Sequence, residues 1–125
     1  MAGRRGDARI LVVDDDDEIR EALADVLTDE GYEVVGARDG QQALQFVRAG
    51  RRPNAILLDL WMPVMDGWQL RHELLSDSKL SDIPVIVLTA VRDQRAQGLM
   101  VADILTKPVQ LERLLGALAA TTRGS

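Results

Sequence analysis

The sequence predicts an α/β domain organised on a doubly wound parallel sheet. Short apolar runs alternate with stretches of helical spacing, giving five strand-helix units. The connections between them are short, which suits parallel strands joined by right-handed crossovers. Several runs also end on a chemically useful side chain, namely Asp14, Asp59, Thr89 and Lys107. In an open parallel sheet those ends share one edge, where α/β folds place their ligand sites.

Each element has its own signal. Met1 to Ala8 is polar, contains Arg4 and Arg5 and lacks periodicity, so residues 1–8 are expected as a flexible arm. Ile10 to Val13 reads as the first buried strand. Beyond the acidic run Asp14 to Glu18, Ile19, Leu23, Val26 and Leu27 recur at helical spacing until Gly31. Tyr32 to Ala37, with Val34 and Val35 among smaller or polar residues, suits a strand near an edge. A second helix follows Asp39-Gly40, turns Ala43, Leu44 and Val47 inward, and stops at Gly50.

The central strand is Ala55 to Leu60, bounded by Pro53-Asn54 and Pro63. A strand covered on both faces needs no polar alternation, so the acid at position 59 stands out. Asp66-Gly67 opens a third helix whose apolar residues are Leu70, Leu74 and Leu75, and Pro84 to Leu88 is the fourth strand, ending at Thr89. Between Val91 and Val101 only Asp93 to Gln97 is helix-compatible, and Gly98 interrupts it. Ile104-Leu105 forms the fifth strand before Lys107-Pro108, and Leu111, Leu114, Leu115 and Leu118 mark the last helix. The expected domain therefore runs over residues 9–121, with a tail at 122–125.

Composition narrows the function. A chain of 125 residues fits one domain, and its 46% hydrophobic and 28% charged residues are ordinary for a globular protein. The absence of cysteine excludes disulfides, zinc-thiolate sites and thiol catalysis. The net charge of -5 and the aromatic share of 3% argue against direct nucleic-acid binding. No apolar run spans a bilayer and no signal-peptide pattern is present, so a cytoplasmic protein without membrane contact is expected. No Gly-rich dinucleotide fingerprint or Walker loop follows any strand. His72 falls in a helical pattern and reads as a surface histidine.

The strand ends carry the chemistry. The first contributes Asp14 and Asp15, the third Asp59, the fourth Thr89 and the fifth Lys107. Three converging carboxylates repel one another unless a cation neutralises them, and an all-oxygen set of that charge suits Mg²⁺. A metal, a carboxylate nucleophile and an ammonium facing phosphate oxygens together suggest phosphorylation of an aspartate. Individually each residue has a plainer role. Asp59 could start a turn, Thr89 could be a satisfied core hydroxyl, and Lys107 could be a solvated charge before a helix-starting proline. Asp16, Asp17 and Glu18 are expected only to cap the first helix.

Val12-Val13-Asp14-Asp15, Leu57-Leu58-Asp59-Leu60-Trp61-Met62-Pro63 with Met65-Asp66-Gly67, Val87-Leu88-Thr89-Ala90 and Leu105-Thr106-Lys107-Pro108 stand in one order. In that order they resemble the motifs of the receiver domain of two-component response regulators, the CheY-like family. The resemblance covers about Arg9 to Ala120. It implies a flavodoxin-like (βα)5 sandwich with a five-stranded parallel sheet of order 2-1-3-4-5. It implies Asp59 as the nucleophile that takes a phosphoryl group from a phosphohistidine on a sensor histidine kinase or histidine phosphotransfer protein. Mg²⁺ is implied at Asp15, Asp59 and the backbone carbonyl of Trp61, with Asp14 holding a coordinated water or sharing the ion. Lys107 is implied to meet the phosphoryl oxygens through a cis Lys107-Pro108 bond, and Thr89 to swing toward them as the switch. The resemblance further implies that small Ala90 leaves access to an acyl phosphate, that Gly67 serves the turn into the third helix, and that Trp61 borders the route of attacking water.

Two departures bear on output. Relatives usually carry Tyr or Phe three residues before the lysine, where this chain has Ile104, which cannot alternate between a buried and an exposed ring. Thr89 and Lys107 are 18 positions apart (107 minus 89), about one helical turn closer than in the family, and Met100 stands where a glycine is common. A shortened or irregular fourth helix is therefore expected between Val91 and Val101. In the family, that helix with the fifth strand and last helix often carries output and dimerisation, so a weak homodimer and an atypical output face are expected.

Three functions compete. The leading one is a phosphoacceptor switch whose only catalysis is its own phosphorylation and dephosphorylation, controlling a downstream protein or a fused output domain. The second is a phosphate-independent protein-binding module of the same fold. The third, an Mg²⁺-dependent phosphatase, lacks the second acid that chemistry wants two residues after its nucleophile, where Trp61 stands. The chain leaves no room for a DNA-binding or catalytic output domain, so a stand-alone regulator or a receiver from a longer protein is expected.

Overall fold

The computed structural model describes residues 8–59, 67–89 and 101–123. Its strands are β1 (Arg9–Val13), β2 (Glu33–Ala37), β3 (Ala55–Asp59), β4 (Val85–Thr89) and β5 (Asp103–Thr106). Its helices are α1 (Asp17–Asp29), α2 (Gly40–Arg48), α3 (Gly67–Leu75) and α4 (Leu111–Arg123). The strands form one sheet of order β2-β1-β3-β4-β5, and every neighbouring pair is parallel. This is the doubly wound architecture expected from the sequence, with the strand order that the family resemblance implies. The helix expected between Val91 and Val101 lies outside the described residues.

β3 and β4 are buried at every position, as their apolar runs require, and each carries one polar residue, Asp59 or Thr89, at its buried end. β2 lies at the edge and is only partly covered, in line with its mixed composition. Side chains alternate across the sheet and feed two cores. On one face Leu11, Val13, Ile56, Leu58, Val85 and Val87 pack with Ala43, Leu44 and Val47 of α2 and Leu70 and Leu74 of α3. On the other, Ile10, Val12, Ala55, Leu57, Ile86, Leu88 and Leu105 pack with Leu27 of α1 and Leu114, Ala117 and Leu118 of α4. Each fully buried leucine or isoleucine contributes about 1.5–3 kcal/mol of transfer free energy.

The helix ends are chemically defined. Asp16 caps α1 by accepting from the Glu18 and Ile19 amides at 2.9 and 3.2 Å, and Asp17 and Glu18 place negative charge in the first turn. Asp39 caps α2 by accepting from the Gln42 amide at 2.8 Å. Gly31 and Gly50 end these helices with φ of 96° and 90°, a left-handed conformation that favours glycine.

Some expected positions differ. Ile19, Leu75 and Leu111, members of the helical patterns, are exposed. They stand in the first or last turn of α1, α3 and α4, so the periodic pattern runs on past the buried part of each helix face. α4 runs to Arg123, through positions where the sequence suggested a tail, and the Thr122 hydroxyl donates to the Leu118 carbonyl at 2.8 Å. Ala8, expected in the arm, accepts from the Glu33 amide at 3.0 Å and packs on the α1/α4 core.

Candidate functional site

β1 ends at Val13, which pairs with Leu58 of β3, so Asp14 and Asp59 emerge side by side at the carboxyl edge. β4 pairs Leu88 with Asp59 and Thr89 with Thr106, which places Lys107 one residue beyond β5. Ile10 and Val12, Ala55 and Leu57, and Leu105 belong to the α1/α4 core. Period-two alternation makes Asp14, Asp59 and Lys107 the next members of those rows. Thr89 instead extends the opposite row, Val85 and Val87.

The result is an acidic pocket. One carboxylate oxygen from each of Asp14, Asp15 and Asp59 lies within 4.8 Å of the others. Asp14 is only 2% exposed and Asp59 9%, whereas Asp15 is exposed. Lys107 reaches in from β5, its Nζ 3.2 Å from Asp14 Oδ2 and 3.7 Å from Asp59 Oδ2. The other Asp14 oxygen, Oδ1, accepts from the Asp16 amide at 2.9 Å, which ties the pocket to the α1 cap. The Lys107 amide donates to the Thr89 carbonyl at 2.7 Å, and the Lys107-Pro108 peptide bond is cis.

Three carboxylates at this separation attract a hard cation, and their oxygen-only donor set fits Mg²⁺ by its chemistry. The Lys107 ammonium offsets part of the same charge and can meet anionic oxygens. Thr89 is buried at the end of β4. Ile104, expected at the switch, is half-buried in β5 opposite Val87 and packs against the α2/α3 core, apart from the acids. Just before it, the Arg113 guanidinium fork holds Asp103 at 3.0 and 3.1 Å and keeps that carboxyl below its ordinary pKa. Trp61, Ala90 and Met100 lie outside the described residues.

One contributor escaped the sequence reading. Arg20 of α1 donates from Nη1 to the main-chain carbonyl of Asp14 at 2.9 Å and pairs through Nη2 with Asp17. The available signal was the Asp17 and Arg20 spacing of three residues, which places both on one side of a helix.

The model of the response regulator receiver domain matches residues 10–119. The chain belongs to this family. Among curated relatives, response regulator MprA of Mycolicibacterium vanbaalenii is 44% identical over 120 residues, which cover 92% of this chain and 50% of the relative. MprA of Mycobacterium ulcerans matches at the same identity and coverage. This receiver thus spans about half the length of the curated relatives it matches. Among solved structures, the signal receiver domain of a signal transduction histidine kinase from Syntrophus aciditrophicus superposes with a TM-score of 0.87 at 32% identity, covering 94% of this chain and 91% of that one. Chemotaxis protein CheY4 of Vibrio cholerae gives a TM-score of 0.83 at 31% identity, covering 91% and 98%. Among the described residues of the receiver, no helix is long and apolar enough to cross a membrane.

Proposed function

We propose that this receiver takes a phosphoryl group from a phosphohistidine onto Asp59, with Mg²⁺ held by Asp14, Asp15 and Asp59, and passes the change to a partner or output domain. The observation that carries the reading is the Lys107 ammonium set between Asp14 and Asp59, with three carboxylates within 4.8 Å of one another. Bound at those carboxylates, Mg²⁺ would lower the mutual repulsion of the acids and of an arriving phosphoryl group. An Asp59 carboxylate oxygen attacks phosphorus, the new O–P bond forms as the donor P–N bond breaks, and the imidazole nitrogen leaves with the electron pair. Lys107 turns from its carboxylate partners to the phosphoryl oxygens, which carry the charge it formerly balanced. Thr89, at the next strand end, offers a hydroxyl to the same oxygens. Water later attacks the phosphorus, the O–P bond to Asp59 breaks, and inorganic phosphate leaves.

Family membership supports a histidine kinase or histidine phosphotransfer protein as donor, and the full length of the relatives supports an output region as recipient. The deciding experiment is intact mass after incubation with Mg²⁺ and acetyl phosphate, for the parent and for Asp59→Asn. One labile phosphoryl group is expected in the parent alone. No gain in a folded parent that binds Mg²⁺ would overturn this reading and leave a phosphate-independent binding module.

A further inference from the structure

We propose that Arg20 is a positioning residue of the acidic site, fixing the turn from Asp14 to Asp15 so that the carboxylates take a divalent cation together. The Asp14 main chain is held on both sides of its Cα, through the peptide before it and the peptide after it. Its amide donates to the Ala37 carbonyl of β2 at 3.1 Å, and its own carbonyl accepts from Arg20 Nη1 at 2.9 Å. The orientation of that carbonyl fixes the plane of the peptide leading to Asp15, because the peptide unit is rigid. Asp15 is the exposed member of the cluster and gains most from a fixed backbone. Arg20 is in turn aimed by its pairing with Asp17 one helical turn earlier.

Gly36 makes the path for this side chain. A Cβ at position 36 would stand 3.1 Å from Arg20 Cδ and 3.4 Å from both Cγ and Nε. Gly36 is not among the glycines with positive φ, so its backbone accepts other residues and the constraint there is the space taken by the Arg20 stem. The edge strand, the first helix and the acidic turn are therefore joined through one guanidinium. A positive charge near three acids would by Coulomb's law oppose cation binding. Positioning and charge thus predict opposite effects of removing it.

The inference rests on the cation reading above. Mg²⁺ affinity is measured by calorimetry on the parent, Arg20→Met, Arg20→Lys, Gly36→Val and the Arg20→Met/Gly36→Val double variant, with folding checked by circular dichroism. Arg20→Met keeps most of the stem and loses the donors, and about tenfold weaker binding is expected, the usual scale for an outer-shell hydrogen bond. Gly36→Val should weaken binding similarly by displacing the stem, the double variant should be no worse than either single one, and Arg20→Lys should recover part of the loss. Unchanged or tighter binding in Arg20→Met, or losses that add in the double variant, would overturn the inference alone. If Arg20→Met fails to fold, Arg20→Lys and Gly36→Val decide it, and parental affinity in both overturns it. A parent that binds no Mg²⁺ overturns the cation reading and this inference with it.

Discussion

The ammonium of Lys107 stands 3.2 Å from the buried Oδ2 of Asp14, joining the end of β5 to the end of β1 across two intervening strands. Asp14 is 2% exposed, so its charge depends on this contact and on the Asp16 amide for the solvation it has lost. Replacing Lys107 by Met should therefore destabilise the metal-free protein by about 1–3 kcal/mol, the cost of leaving a buried charged group short of a partner. Added Mg²⁺ should restore more stability to the variant than to the parent, since the ion then has no ammonium to displace. Urea unfolding of both proteins in chelator and in Mg²⁺ measures the two differences, and equal Mg²⁺ gains would contradict the competition between Lys107 and the ion.

Asp15 carries the opposite balance. It is exposed, yet one of its oxygens lies within 4.8 Å of oxygens of Asp14 and Asp59, so it adds repulsion without burying apolar surface. Asp15→Asn should raise the melting temperature in chelator by about 2 °C, the shift that accompanies roughly 0.5 kcal/mol in a domain of this size. The same variant should lose most of the parent's Mg²⁺-induced rise in melting temperature. Thermal scans with and without Mg²⁺ test both halves, and a variant less stable in chelator would show that Asp15 has a structural role at the turn.

Much of this arrangement was legible because parallel topology turns linear order into spatial order. The unbroken apolar run before Asp59 identified a strand buried on both faces, and the alternation of strands with helices put Asp14, Asp59 and Lys107 on one edge. The Arg20 contact was not legible. It depends on the path of a long side chain from α1 over β2, and on space at Gly36, neither of which has a periodic signature. Ile19, Leu75 and Leu111 share the helical spacing yet are exposed. Helical spacing identifies a face, but not the turn at which the core beneath that face stops.

The Asp103 and Arg113 pair should appear in the acid limb of stability. The Arg113 hydrogen bonds hold the Asp103 carboxyl below its ordinary value, outweighing the opposing effect of partial burial. A depressed folded-state pKa means the stabilisation is present above the unfolded value, about 3.9, and is lost as pH falls through the lower folded value. The melting-temperature difference between parent and Arg113→Gln should thus stay constant from about pH 7 to 5 and shrink below about pH 4. Raised salt should reduce it throughout, because both side chains are partly exposed. A difference that instead grows on acidification would reverse the sign of the linkage.

Arg71 should be a site where removing charge helps. It lies on α3 between the core residues Leu70 and Leu74, is only 7% exposed, and buries Nε and Nη1 without an acceptor among the described residues. Desolvation lowers its pKa below the ordinary arginine value, the mark of a cation held where charge is poorly solvated. Arg71→Met keeps an unbranched stem of similar packing and removes the two buried donors. Stability should rise by about 1 kcal/mol, at the lower end of the cost of an unsatisfied buried polar group. The gain should be independent of Mg²⁺, since the hydrogen bonds and ion pairs described for the acidic pocket involve Lys107 and the Asp16 amide rather than Arg71. Urea unfolding at fixed pH measures it, and a loss of stability would mean that the guanidinium contributes more through its remaining contacts than its two buried donors cost.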